Sequence, residues 1–479
     1  MTTTEAAPFG PRVGAPNPGD RYPMDNHRHG DLTNGYLPAA AFRHLDPTGV
    51  GFVDLDDPLV LSHPAGASWC PRDRDGLLLV RLHGEPLDVL HIDRRLDSLS
   101  VEELAAVIWR EVGVSIGNHA ERWGCMAPPH DQQALLCGLP PTVDCCPRAS
   151  AIGTCMSVTI IVPTGGRAAQ LERCLRSLLA IQRPPPRVLV VDNQPQLDET
   201  RRRVAEIADD APQLSYVAES RPGSSVARNR GIAETNSEFV VFTDDDIVVD
   251  SDWLHWLLAP FVEPNVAVVT GMVLPLELQT EAQKRFEQYA GFSKGLGGRS
   301  YDLRANRADD RLLYPYWGGV FGSGNSMAFR RADLASAGGF DPALGAGSLA
   351  LAGADIEAFS AAILRGGQLV YEPRSLCWHE HRRADDALRR QLFNYGVGFS
   401  AILTKYLTHD PRFLAALARS LVPTLRRYRQ SGEGRSSSVA LPAELTRLTR
   451  QGMLRGPLLY TKSRLWSRRL GLDDVVHGR

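Results

Sequence analysis

The rhythm of apolar and polar positions changes near residue 157. Before it, residues 76–82 and 87–92 are short apolar runs with Gly84-Glu85-Pro86 between them, which predicts a hairpin. Ser100 and Glu103 then have the spacing of a capping box. Val101, Leu104, Ala105, Ile108, Trp109 and Val112 follow at helical spacing, so they predict a helix whose apolar stripe is core rather than a ligand box. His119 and Glu121 near its end read as surface residues. These elements predict a small α+β domain over 32–125 with no catalytic constellation. From Ser157 strands and helices alternate. Residues 158–162, 187–191, 214–217, 239–243 and 266–270 read as buried strands, and Leu171, Leu175, Leu178 and Leu179 mark an amphipathic helix. That alternation predicts an α/β sandwich over 157–410, with ligands bound outside the carboxyl ends of the strands.

Composition adds bounds to this picture. A chain of 479 residues suits two domains plus tails, and 43% apolar with 23% charged residues is ordinary for a globular protein. Residues 1–31 are rich in Pro, Gly and polar residues, lack the apolar core of a signal peptide and read as disordered. With no long uncharged apolar run, the protein reads as cytoplasmic. Residues 126–156 carry Pro128-Pro129, Pro140-Pro141 and most of a cysteine cluster (Cys125, Cys137, Cys145, Cys146, Cys155). Their spacing fits no zinc pattern, so this stretch reads as a linker with free thiols, a zinc site or disulfides being the alternative. Charge is uneven. Residues 412–479 hold 14 Lys and Arg against 4 Asp and Glu, in a chain whose net charge is -2. In this basic tail (411–479) Phe413, Leu414, Leu417, Leu421 and Leu425 repeat at helical spacing, with Pro423 a kink. Two roles stay open for it: peripheral contact with an anionic membrane face, or packing on the preceding domain. No basic and aromatic pattern points to nucleic acid.

The chemistry concentrates at strand ends. The run 239–243 stops in Asp244-Asp245-Asp246, three carboxylates that repel one another and resist desolvation. A divalent cation removes that repulsion, and oxygen ligands suit Mg²⁺ or Mn²⁺. Alternation lets Asp244 and Asp246 face one way and Asp245 another. A solvated acidic turn is the plainer alternative. Pro163, Thr164, Arg167 and Asp192 sit at or just past neighbouring strand ends, so one nucleotide pocket would collect them all.

Several ordered motifs together resemble the family 2 inverting glycosyltransferases of GT-A fold, from about Ser157 to Tyr406. They are Ile161-Val-Pro-Thr164 with Arg167, Val190-Val-Asp192-Asn193, Pro222 to Gly231, Asp244-Asp-Asp246, Gly322 to Arg331, and Gly338-Gly-Phe-Asp341. The resemblance implies a donor such as a UDP-, GDP- or dTDP-sugar, a hydroxyl acceptor and a Mn²⁺ or Mg²⁺ cofactor. It implies that Asp192 accepts a hydrogen bond from the base and that Arg228 meets the pyrophosphate or ribose. Asp244, with Asp245, would lie on the donor side and Asp246 on the metal. Asp355 matches the base that deprotonates the acceptor. Ala354 departs from the family's Glu, and Glu357 is either a helix-surface residue or a substitute contact. The stretch with Gly324 and Asn325 would lie beneath the acceptor. His379 and His381 alternate along an extended segment and suit the metal or diphosphate side, the choice between them open; a basic loop is the plain reading. Trp317 and the aromatics before it offer sugar-stacking faces or simple packing, and the glycines in 293–310 suggest either a mobile acceptor loop or an ordinary one. Two rival readings remain: a sugar-phosphate nucleotidyltransferase, whose Gly-rich loop Thr164-Gly-Gly-Arg167 only faintly matches, and a non-catalytic sugar-binding relative.

Overall fold

The computed structural model describes residues 37, 45–66, 72–124, 129–141, 156–181, 186–308, 313–316, 318–418 and 443–472. The N-terminal stretch 1–31, Trp317, the cysteines at 125, 145, 146 and 155, and the tail from Arg419 to Arg429 lie outside these residues.

The first domain is built on β1 (Thr48–Asp54), β2 (Asp75–Leu82) and β3 (Glu85–Ile92), in the order β1-β2-β3. The hairpin of β2 and β3 is as expected; β1, which pairs parallel to β2, was not legible as a strand. Helix α1 (Val101–Trp123) starts at Ser100 with both capping-box bonds present. It buries Leu104, Ile108, Val112 and Ile116 against Leu78, Val80 and Leu90. A short helix α2 (Gln133–Cys137) packs Leu135 into the same cluster, as does Leu139 just beyond it.

His119 corrects the surface expectation. It is buried, and its Nδ1 lies 2.8 Å from Glu85 Oε2 while Nε2 lies 3.0 Å from His83 Nδ1. A polar ring on an apolar helix face can be buried when partners meet it from another element.

The second domain runs through β4 (Val158–Thr164), α3 (Ala168–Leu179), β5 (Arg187–Asp192), α4 (Glu199–Ala208), β6 (Leu214–Ala218), α5 (Ser224–Ala233) and β7 (Phe239–Phe242). It continues with β8 (Ile247–Val249), α6 (Trp253–Leu258), β9 (Val266–Pro275), α7 (Glu281–Ala290), β10 (Arg299–Tyr301), β11 (Met327–Arg330) and α8 (Arg331–Ser336). It closes with α9 (Ala354–Leu364), β12 (Gln368–His379), α10 (Asp385–His409) and α11 (Ala443–Arg469). Nine strands form one mixed sheet in the order β10-β12-β9-β11-β7-β4-β5-β6, with β8 paired to β12. Strands β4 to β7 are parallel; β11 is antiparallel to both β7 and β9. Both sheet faces are covered, which is why β4 and β7 are apolar at nearly every position.

The stretch 293–310, read as a loop, supplies the edge strand β10, and Tyr301 is buried beside Phe321. The two domains share one apolar cluster that includes Leu77, Val89, Leu274 and Trp378. Arg81 bridges them, 3.1 Å from Asp54 and 2.7 Å from Asp250, with both ends of the longer-range pair buried. In the tail, Phe413 packs on Tyr316, and α11 lies along α10 through close glycine contacts.

Candidate active site

Strand β7 carries Asp244-Asp245-Asp246 off its carboxyl end. Thr243 Oγ1 donates to the Asn325 carbonyl (2.8 Å) and ties this end to the turn before β11. The three carboxylates then diverge, as alternation requires. Asp245 turns inward: it is fully buried, accepts from Thr164 Oγ1 (2.7 Å) and pairs with Arg167 (2.6 Å). Burial pushes its carboxyl up to about 7. Asp244 pairs with Arg228 (3.0 Å) and accepts from Asn325 Nδ2 (3.3 Å); burial raises it as well. Asp246 meets Arg167 at 2.5 Å. Burial works upward on Asp246, but the Arg167 guanidinium, with Arg382 nearby, holds it below its ordinary value.

The two histidines take different places. His379 Nε2 faces Asp246 Oδ1 at 3.5 Å, whereas His381 lies behind it, Nδ1 to Nδ1 at 2.6 Å, and reaches Glu287 Oε1 at 2.5 Å through Nε2. Phe292 and Phe286 wall the two rings. Burial lowers His379 to about 3, so its ring is neutral at physiological pH. With a single ring hydrogen on His381, held at Nε2 toward the Glu287 carboxylate, its Nδ1 accepts from His379 Nδ1–H. That leaves a lone pair on His379 Nε2, aimed at Asp246 Oδ1, a buried oxygen with no hydrogen-bond partner. Two acceptors facing each other suit a cation between them. Among the described residues no three His, Cys, Asp or Glu converge on one point. The donor set therefore fits a divalent ion with two protein ligands, leaving positions for phosphate oxygens and water.

Across the same cavity, of about 1240 Å³, stands Asp355 in the first turn of α9. The Gly324 amide donates to its Oδ2 (2.9 Å). A Cβ on Gly324 would come within 2.7 Å of that oxygen, so this approach requires glycine. Pro163, Thr164, Arg167, Arg228, Asp244, Asp246, Gly324, Asn325, Asp355 and His379 all line this one cavity.

Among the described residues, four expected site residues do not line it. Asp192 ends β5 as expected but is fully buried, its carboxylate taken by Tyr216 Oη (2.9 Å) and the Gln194 amide (2.9 Å). Its neighbours Asn193 and Gln194 line the cavity instead. Asp245 and His381 sit behind the wall. Glu357 is neither surface residue nor cleft contact: it is buried and pairs with Lys405 (2.9 Å), which also holds Asp341 (2.9 Å). Lys294, Arg382 and Arg390 add cations to the lining, and Gln391, Asn394 and Tyr395 add polar groups. Ala387, Gln391, Asn394, Gly398 and Ile402 share one face of α10, a spacing readable in the sequence. Glu287 had no such signal.

Residues 156–395, just over half of the chain, match the family described as glycosyltransferase like family 2. The chain belongs to this family. The mixed sheet with its covering helices is a GT-A fold, preceded here by a small sheet domain. The chain is similar to the pre-mycofactocin glycosyltransferase of Mycobacterium tuberculosis H37Rv, at 27% identity over 54% of this chain and 50% of that protein. The chain thus spans about half the length of the curated relatives it first matches. A shorter match, 33% identical, covers 22% of this chain and 36% of the succinoglycan biosynthesis protein ExoM of Rhizobium meliloti. Among solved structures the chain is similar to a Pyrobaculum calidifontis mannosyltransferase in complex with GDP-Man and Mn²⁺. That likeness has 18% identity and a TM-score of 0.41, covering 77% of this chain and 99% of the other.

Proposed function

We propose that this chain transfers a sugar from a nucleotide-sugar to a hydroxyl acceptor, with inversion at the anomeric carbon. The supporting observation is that Asp246 and Asp355 open onto one cavity from opposite elements, β7 and α9. In this reading the donor diphosphate lies along Asp244 and Asp246, with Arg228, Arg382 and Lys294 as its cationic surroundings. Asp246 and His379 would hold Mn²⁺ or Mg²⁺, which when bound supplies positive charge against the leaving diphosphate.

Asp355 accepts the proton of the acceptor hydroxyl as that oxygen bonds to the anomeric carbon. The bond from that carbon to the diphosphate breaks on the opposite face, and the electron pair leaves with the nucleoside diphosphate. The Gly324 amide fixes one Asp355 oxygen, which leaves the other for the hydroxyl. Leu351, Ile356, Phe399 and Ile402 make the Asp355 end apolar, fitting an acceptor with a nonpolar body. Pre-mycofactocin, named for the mycobacterial relatives, is the first acceptor to try. Cytoplasmic placement agrees with a nucleotide-sugar donor and with the described residues, where no helix is long and apolar enough to cross a membrane.

Nucleoside diphosphate release is measured for UDP-, GDP- and dTDP-sugars with Mn²⁺ and that acceptor. One donor class turns over, and Asp355→Asn lowers kcat about a thousandfold while nucleoside diphosphate still raises the melting temperature. Pyrophosphate release in place of nucleoside diphosphate, or Asp355→Asn with near wild-type turnover, overturns the reading.

A further inference from the structure

Among the described residues, helix α11 is bound to the enzyme by one face. Gly452 and Gly456 press against α10, where a Cβ would lie 2.2 Å from the Phe393 carbonyl oxygen and 1.9 Å from Ser400 Oγ. Tyr460, Ser463 and Ser467 continue this buried face. On the outer face Leu454, Leu458 and Leu465 are 83%, 59% and 54% exposed. At about 100° per residue these three leucines fall within about 40° of one another, so they form one stripe. Arg450 and Arg468 border the stripe on one side, Lys462 and Arg469 on the other, and all four are exposed. The helix holds seven Arg and Lys and a single acid, Glu444, which lies in the first turn and pairs with Arg389. No carboxylate of this helix lies beside the leucines.

We infer that this face docks the protein on an anionic lipid bilayer, with α11 lying flat in the interface. A row of leucines between two rows of cations meets both demands of such a surface: apolar contact with acyl chains and charge contact with the headgroups. The contact is peripheral, since no described helix is long and apolar enough to span. Its place in the fold gives it a use. Helix α10 turns Gln391, Asn394 and Ile402 toward the cleft and Phe393, Gly396 and Val397 toward α11. One helix therefore separates the acceptor half of the cleft from the lipid surface. The inference does not depend on which sugar is transferred.

Sedimentation with vesicles of 30% phosphatidylglycerol in phosphatidylcholine tests it. Full-length protein pellets with these vesicles in 0.1 M NaCl and is released in 0.5 M NaCl, because headgroup attraction is screened. Leu454→Glu/Leu458→Glu lowers the vesicle partition coefficient at least about tenfold, and its melting temperature stays near wild type because both side chains are exposed. Arg450→Gln/Lys462→Gln/Arg468→Gln/Arg469→Gln lowers it about a hundredfold or more. Wild-type protein that stays in the supernatant, or a leucine variant that pellets as well as wild type, overturns the inference. So does light scattering that shows a dimer which the leucine variant dissociates without change in vesicle binding; the stripe would then face a second copy.

Discussion

Two pairs of histidines, one in each domain, are wired almost identically and end differently. In the first domain Glu85, His119 and His83 run in series, and His83 Nε2 closes the series on the Leu139 carbonyl at 2.7 Å. In the second, Glu287, His381 and His379 run in series, and His379 Nε2 ends opposite Asp246 with no hydrogen bonded between them. The first series ends on protein acceptors at both ends, a carboxylate and a backbone carbonyl, and it fastens α1, β3 and the segment after α2 together. The second is capped at one end and open to the cleft at the other. Residue type does not separate a structural staple from the proposed metal-side series here; what stands at the last nitrogen does.

The comparison breaks most readily at the open end. Asp246→Asn or His379→Ala is expected to lower metal-dependent transfer about a hundredfold or more. The melting temperature without ligands should fall modestly for Asp246→Asn, which loses the charge that Arg167 meets at 2.5 Å. Retention of Mn²⁺-dependent stabilisation by nucleoside diphosphate in both variants would contradict the open-end role.

One step back, Glu287→Gln changes the group that sets the His381 and His379 tautomers. Metal affinity should fall about ten- to a hundredfold, read from a Mn²⁺ titration of donor binding. An unchanged titration would make this series a second staple.

The closed end gives the smallest effect, on stability alone. Glu85→Gln or His119→Ala should cost about 1–3 kcal/mol, with kcat within about twofold of wild type. Burial pushes Glu85 up, yet the His119 bond and charge, with Trp123 and Arg122, bring it below the ordinary 4.5. A carboxyl depressed on folding stabilises above its unfolded value, and that stability is lost as pH falls through the folded value. Wild-type melting temperature should therefore drop more steeply than that of Glu85→Gln below about pH 4.5. Parallel curves would show that Glu85 carries no such linkage.

Much of this was legible in the chain, and the misses share a cause. Strands β4 to β7 and β9, helix α1 and the acidic strand end follow from local rhythm, because burial on a strand or helix imposes a short repeat. Strand β1 was missed because Thr48-Gly-Val-Gly-Phe-Val-Asp54 mixes glycines into its run. His119 and Glu357 looked exposed because a polar residue beside an apolar stripe says nothing of what faces it. Asp192 stood at the right strand end, but Tyr216 on the next strand claimed its carboxylate.

The sequence alone determined the first-domain hairpin, helix α1, strands β4 to β7 and β9, the acidic triplet, the match of Asp355 to a base and the charge of the tail. These depend on spacings of a few residues, which any fold with those elements preserves. Only the tertiary structure decided that His379 rather than His381 faces Asp246, that Glu287 stands 94 residues away behind them, and that Asp355 shares their cavity. Such neighbours are set by how the sheet and its covering helices pack, and no periodicity along the chain records a contact across it.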